Sequence, residues 1–311
     1  MALTQKQQGN FIMLFTMIIF GLNIPINKYL YAEGLISPFG MTASRMTFAA
    51  IAFWITSLFT PKEKVAKKDL LVLLAGGICG MLINQGCFAY GLGQTSSVDA
   101  SIITTSGPLF AMIIAAIILK EPITLKKAGG VIVGGFGAVI LVYTAQQANL
   151  SQDSSMIGNI SIMTAQFFYA FYLVITRPLA QKYSTITLMK WMFLFASLAT
   201  LPLFGKDMIE APLFHQTDIT PFLLIGFTLF GATFITYMMI PLAQRRIRPT
   251  TISMYNNLQP LIATIVAIIA MGEKFTFEKL IAAIFIFGGV YLVTTSKSKA
   301  DLETEKVNNP S

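Results

Sequence analysis

Ten mainly apolar runs follow one another along the whole chain, at approximately 10-31, 38-60, 69-92, 97-119, 125-144, 157-179, 185-204, 218-243, 249-271 and 277-296. A helix of about 20 residues, rising about 1.5 Å per residue, crosses a hydrocarbon core about 30 Å thick. One soluble core could not bury this surface, because 55% of the 311 residues are hydrophobic and only 12% are charged. Lipid offers no partners to backbone polar groups, so each run must close its own hydrogen bonds as a helix. The expected fold is therefore an all-α polytopic membrane protein with ten transmembrane helices. The first run follows Lys6 as in a signal peptide, but Asn23, Pro25 and Lys28 follow it without a small-residue cleavage pattern, so it reads as a span.

The net charge of +8 does not point to nucleic acid, because its distribution alternates. Lys62, Lys64, Lys67 and Lys68 lie between runs 2 and 3, and Lys120, Lys126 and Lys127 between runs 4 and 5. Arg177 and Lys182 lie between runs 6 and 7, and Arg245, Arg246 and Arg248 between runs 8 and 9. With Lys6 and the tail lysines 297, 299 and 306, every even-numbered connection and both termini share a basic side. The positive-inside rule makes that side cytoplasmic and places the chain in the inner membrane. Cys79 and Cys87, eight apart on one predicted helix, stand roughly 12 Å apart along its axis and read as packing residues.

The stretch "GPLFAMIIAAIILKEPIT" returns as "QPLIATIVAIIAMGEKFT". Runs 3 to 5 align onto runs 8 to 10 without gaps, with Pro108 over Pro260, Glu121 over Glu273, Lys127 over Lys279 and Gly137 over Gly289. Runs 1 and 6 align at a slightly different offset, Gly21 over Ala170 and Lys28 over Arg177. Each half holds five spans, so the second copy must enter from the opposite side. The charges agree, since "KEPITLKK" is basic whereas its copy "GEKFTFEK" is formally neutral. Inverted repeats are a common build for secondary transporters, because two similar halves can pack in two symmetry-related ways. The expected organisation is a first repeat at 10-144, a second at 157-296 and a cytoplasmic tail at 297-311.

These residues resemble the drug/metabolite transporter superfamily, specifically the EamA-type ten-helix permeases. The resemblance is carried by "FAYGLGQTSSVDASIITTSGPLFAMIIAAIILKEPITLKKAGGVIVGGFGAVIL" and its copy "MYNNLQPLIATIVAIIAMGEKFTFEKLIAAIFIFGGVYLV", with "FGLNIPINKYL" and Arg45, and covers about residues 11 to 296. It implies a central cavity among spans 1, 3, 4, 6, 8 and 9, with 5 and 10 supporting, and transport of metabolites such as amino acids, sugars or nucleotide sugars.

Pro108 and Pro260, like Pro25, remove a backbone donor within a predicted span and mark helix hinges. Thr104 and Thr105 precede the first, and Tyr255, Asn256, Asn257 and Gln259 the second; three amides within four residues point to a wet cavity. Asn23 and Asn27 share one helix face, and Asn84, Gln85, Tyr90, Tyr169, Tyr172 and Tyr237 add amides and phenols from other spans. Such a set suits a small amphipathic solute. Arg45 and Lys190, each about two turns into a span, could hold a substrate carboxylate or serve interfacial roles. Glu121 and Glu273 read as structural helix ends. No Asp or Glu stands in the middle of a predicted span, which points to transport without a midplane carboxylate relay. Gly130, Gly134 and Gly137 form a face that another helix can approach closely.

A membrane enzyme would need a catalytic or metal-binding set within the spans, and the sequence offers no His cluster, paired aspartates or phosphate-binding loop. No metal or cofactor is implied. Distributed single polar residues fit alternating access better than the continuous polar pore of a channel. The expected function is permease-type secondary transport, with export of an amino acid or related metabolite ahead of uptake. The expected partners are a small-molecule substrate and the lipid bilayer, and not nucleic acid.

Overall fold

A computed structural model describes residues 4-94, 103-148, 156-259, 261, 262, 265 and 277-297. Pro260, Glu273, the side chain of Lys279 and the tail beyond Lys297 lie outside the described residues. All regular secondary structure among the described residues is helical, with no strand among them. In chain order the helices are α1 (Gln5–Ala32), α2 (Pro38–Ser57), α3 (Lys67–Gln94), α4 (Gly107–Ile118), α5 (Leu125–Ala148), α6 (Met156–Lys182), α7 (Thr185–Ile209), α8 (Thr220–Gln244), the short α9 (Pro249–Met254) and α10 (Phe277–Thr294). Five of them, α1, α3, α6, α7 and α8, are long and apolar enough to cross a membrane.

Local chemistry sets the helix starts. Thr4 and Gln7 form a reciprocal capping box on α1, and the Ser37 hydroxyl accepts from Gly40 N–H (2.9 Å) with Pro38 opening α2. Thr124 accepts from Lys127 N–H (3.1 Å) at α5, and Ser184 from Thr187 N–H (3.3 Å) at α7. The chain leaves α4 through Lys120, whose φ of 52° turns it so that Glu121 N–H reaches the Ala115 carbonyl (3.2 Å). Hydroxyls inside the bundle return to the preceding turn, as Thr16 does to Ile12 (2.8 Å), Ser44 to Gly40 (2.8 Å) and Thr176 to Tyr172 (2.7 Å). Each such bond hides a polar group at a small cost in helix straightness.

Two departures from the expected helices matter for the site. Residues 77–83 of α3 and 227–235 of α8 are π-helical. The two π segments occupy corresponding places in the repeat, and each shifts the register of the helical turns after it, which a uniform 3.6-residue period cannot anticipate. The expected span 97-119 is also not one helix with a proline at its middle. A turn at Thr105-Ser106 interrupts it, and Pro108 sits in the first turn of α4, where its missing amide hydrogen costs nothing. After α9 the chain passes through a 3₁₀ turn, Tyr255–Asn257. Pro25, by contrast, lies inside a continuous α1.

Two pairs of helices that correspond in the sequence repeat lie against each other. In α5 and α10, Gly130 faces Val293, Gly134 faces Gly289 and Gly137 faces Ile286, so one number falls as the other rises and the pair is antiparallel. In α2 and α7, Gly40 meets Asp207, Thr47 meets Ser197 (3.4 Å) and Phe53 stacks on Phe193 (5.6 Å), again antiparallel. The glycine face of α5 therefore serves packing within the chain. A Cβ on Gly289 would stand 2.4 Å from Gly134 N and 2.5 Å from its Cα, where only backbone could give way. Gly289→Val should lower stability in detergent by about 1–3 kcal/mol, measured as a lower unfolding midpoint. Gly135→Ala, facing open space, is the control; equal midpoints for the two variants would refute this packing.

Large apolar side chains cover the outside of the bundle, and polar side chains are buried within it beside an apolar core. Phe11, Ile51, Ile132, Phe230, Ile284 and Phe287 are more than half exposed, while Asn23, Asn84, Arg45 and Gln166 are buried. That arrangement is what a lipid solvent demands.

Candidate functional site

A cavity is bounded by residues from α1, α2, α3, α6 and α8 and from the segments before α4 and after α9. Helix α1 contributes Phe20, Asn23, Ile24, Asn27 and Tyr31, as expected of residues three and four apart on one face. The Thr228 hydroxyl, in the π segment of α8, lies 2.8 Å from the Asn23 amide oxygen and 3.2 Å from that of Asn27. Helix α3 presents Asn84 and Gln85 directly after its π segment, and α8 presents Tyr237 just after its own. Gln85 Nε2 donates to the Tyr237 hydroxyl (2.5 Å), and Asn84 Nδ2 donates to the Ala165 carbonyl of α6 (2.8 Å). Gln85 and Tyr237 are 152 positions apart, the repeat offset, so corresponding residues of the two halves touch.

Arg45 is the one charged residue among the described lining residues. It is 6% exposed, and its guanidinium donates to Thr233 Oγ1 (2.7 Å), Gln85 Oε1 (2.6 Å) and the Ala232 carbonyl (2.9 Å). Two of these acceptors belong to the π segment of α8, whose altered hydrogen bonding turns oxygens toward α2. Thr104, Tyr169, Asn256 and Gln259 complete the expected residues found on the wall.

The other expected residues lie elsewhere. Tyr90 stacks on Phe39 (5.8 Å), and Tyr172 is fully buried where Gly80 makes room for its ring. Tyr255 belongs to the main apolar core, and Asn257 Nδ2 faces Met254 Sδ (3.7 Å) beside Gly134. Adjacent residues of a 3₁₀ turn point about 120° apart, so Asn256 and Asn257 cannot both face one cavity. Thr105 is half-buried in the turn before α4 and off the wall. Lys190 is not a cavity cation either: its ammonium lies over the Trp54 ring (5.1 Å). Helix α2, outside the expected cavity set, contributes Met41, Thr42 and Arg45.

Sequence reasoning missed Tyr31, Thr42, Phe88 and Gln166. Gln166 was legible as the lone amide in "TAQFFYA", deep within a span. A Cβ on Gly107 would meet its Oε1 at 2.8 Å and Ser253 Oγ at 3.2 Å, so α4, α6 and α9 converge there. Gln166 Oε1, the Tyr169 hydroxyl and Ser253 Oγ are buried without a hydrogen-bond partner among the described residues.

The cavity lies toward the end of the bundle where α1 passes into α2. Polar bonds close the other end. Gln244 Nε2 donates to the Leu173 carbonyl and to Thr176 Oγ1 (both 3.1 Å), and Arg245 donates to the Ala180 (2.6 Å) and Tyr183 carbonyls. Asp69 accepts from Lys182 (2.5 Å) and from the Tyr183 hydroxyl (2.7 Å). At the same end Glu121 pairs with Lys127 (2.8 Å) and with Arg177, so it joins three helices as well as ending one.

The profile of the EamA-like transporter family matches residues 7–143 and again residues 156–295. The chain belongs to the EamA-like transporter family. It is a multi-pass membrane transporter and not an enzyme. Among curated relatives of this transporter, the uncharacterized transporter YetK of Bacillus subtilis is 23% identical over 305 residues, covering 96% of this chain and 91% of the relative. A probable terminal-alkyne amino-acid exporter of Streptantibioticus cattleyicolor is 23% identical over 262 residues, covering 82% and 83%. One solved crystal structure, 15% identical, has a TM-score of 0.73 over 93% of this chain and 98% of the other, so the transporter shares its fold.

Proposed function

We propose that this protein is an alternating-access secondary transporter of a small amphipathic metabolite, exporting an amino acid or related compound across the inner membrane. The observation that carries the reading is a polar and aromatic cavity between corresponding helices, lined near one end of the bundle by Tyr31, Met41 and Thr42, with hydrogen bonds tying the helices together at the other end. A permanent pore would be polar throughout; a carrier needs one closed gate at a time.

The reading takes the chain as ten spans in two inverted repeats, 10-144 and 157-296, with a tail at 297-311. Antiparallel contact between α5 and α10 and between α2 and α7 supports it, as do the contact between Gln85 and Tyr237 and the double match of the family profile. On this reading both termini are cytoplasmic, since Gln8 of α1 accepts from Arg246 (3.2 Å) and the Lys297 carbonyl from Arg248 (3.0 Å) at the basic end. The cavity then faces outward. Asn23, Asn27, Arg45, Asn84, Gln85, Thr104, Tyr169, Tyr237, Asn256 and Gln259 contact the solute, and Pro25 flexes α1. The relative named as an amino-acid exporter supports the substrate class.

The purified protein in proteoliposomes tests this. Uptake of labelled leucine should saturate and should accelerate when unlabelled leucine is loaded inside. Flux that rises linearly with concentration and ignores the internal solute would mean a channel and would refute the carrier.

A further inference from the structure

We propose that the cavity recognises its solute as a carboxylate with a compact apolar side chain, and that Arg45 is the residue that reads the charge. This rests on the carrier reading above and narrows it. A buried guanidinium is normally found with a carboxylate, because a full charge removed from water needs an opposite charge nearby. Among the described residues Arg45 has none: its three hydrogen bonds all go to neutral oxygens, and the described cavity wall holds no Asp or Glu. A guanidinium carries more N–H donors than these acceptors use, so each terminal nitrogen keeps one. The site thus holds a fixed positive charge, spare donors in planar array and no counter-ion among the described residues. A carboxylate meets all three conditions, since its two oxygens match adjacent N–H groups. Phe20, Phe88, Met41 and Leu92 on the same wall leave an apolar surface for the rest of the molecule.

The anion also has an internal competitor. Gln85 Oε1 occupies Arg45 Nη1 (2.6 Å) while Gln85 Nε2 holds the Tyr237 hydroxyl (2.5 Å). A carboxylate that replaces the neutral Gln85 oxygen forms the stronger, charge-assisted bond and releases Gln85 from Arg45. Substrate charge is thereby read at the point where corresponding residues of the two halves meet.

The test compares leucine, 4-methylpentanoate and leucinamide as ligands of wild type, Arg45→Gln and Arg45→Lys in detergent, read as the concentration that raises the unfolding midpoint. In wild type the two carboxylates should act at concentrations roughly a hundredfold lower than leucinamide. Arg45→Gln should lose that preference, and Arg45→Lys should keep its direction with weaker binding, a selectivity change that a merely structural arginine would not produce. If Arg45→Gln does not fold, Arg45→Lys and the wild-type preference still decide. Equal action of leucinamide in wild type, an unchanged preference in Arg45→Gln, or indifference of wild type to both carboxylates overturns the inference. Mediated counterflow of leucinamide would then leave the carrier reading standing, whereas absence of mediated flux for all three solutes would sink that reading as well.

Discussion

Glu121→Gln should destabilise the protein by about 3–5 kcal/mol, the usual cost of leaving a buried charge without its partner. The reason is Lys127, whose side chain is fully buried and whose ammonium rests on Glu121 Oε2 at 2.8 Å. Arg177, the second partner, is about a quarter exposed and can turn to water, so Lys127 bears the loss. Neutralising both charges should recover most of the stability, since a buried ion pair contributes little net against apolar side chains of similar size. The double variant Glu121→Gln with Lys127→Met should therefore unfold closer to wild type than the single variant does, by thermal or denaturant midpoint in detergent. A single variant within about 0.5 kcal/mol of wild type, the range of an ordinary surface change, would show that the lysine reaches water and that the cluster is not a structural pin.

Joining residues 176 and 244 should stop transport altogether. In a background with Cys79 and Cys87 replaced by alanine, Thr176→Cys and Gln244→Cys place thiols where the wild-type side chains meet at 3.1 Å. A short bifunctional thiol reagent should fix the basic end shut, and reduction of a cleavable linker should restore flux. The repeat supplies the complementary experiment. Residue 176 corresponds to Asn27 through the α1 and α6 alignment, and residue 244 corresponds to Leu92 through that of α3 and α8. Both Asn27 and Leu92 line the open cavity. Cysteines at 27 and 92 should link only when the cavity closes on its own side, so linking the first pair should protect the second. Simultaneous, independent linking of both pairs would mean that the two ends do not alternate.

How far the residues alone reached can be judged at particular positions. Asn23 and Asn27 were readable as one cavity face because a helix repeats every 3.6 residues and Pro25 leaves α1 continuous. Gln85 and Tyr237 were readable as intramembrane polar residues, but not as partners. Their contact needs two π segments and the meeting of α3 with α8. Tyr172 and Asn257 looked as suitable for a solute as Tyr169 and Asn256, and only their direction separates them. That direction depends on the space left by Gly80 and on the 3₁₀ turn at residues 255–257. Arg45 and, behind it, Lys190 were both open to a substrate role until packing set one among the oxygens of α8 and the other over an indole.

The sequence by itself determined the solvent, the all-helical class and the family. Apolar length fixes whether a segment can stay in lipid, and a capping hydroxyl fixes where a helix starts, so both are local properties of the chain. Only the tertiary structure decided which polar groups share a cavity, that Arg45 stands there with only neutral partners among the described residues, and that Glu121 ties three helices together. Those facts depend on how helices far apart in sequence turn and cross, and on register shifts inside α3 and α8 that no local period encodes.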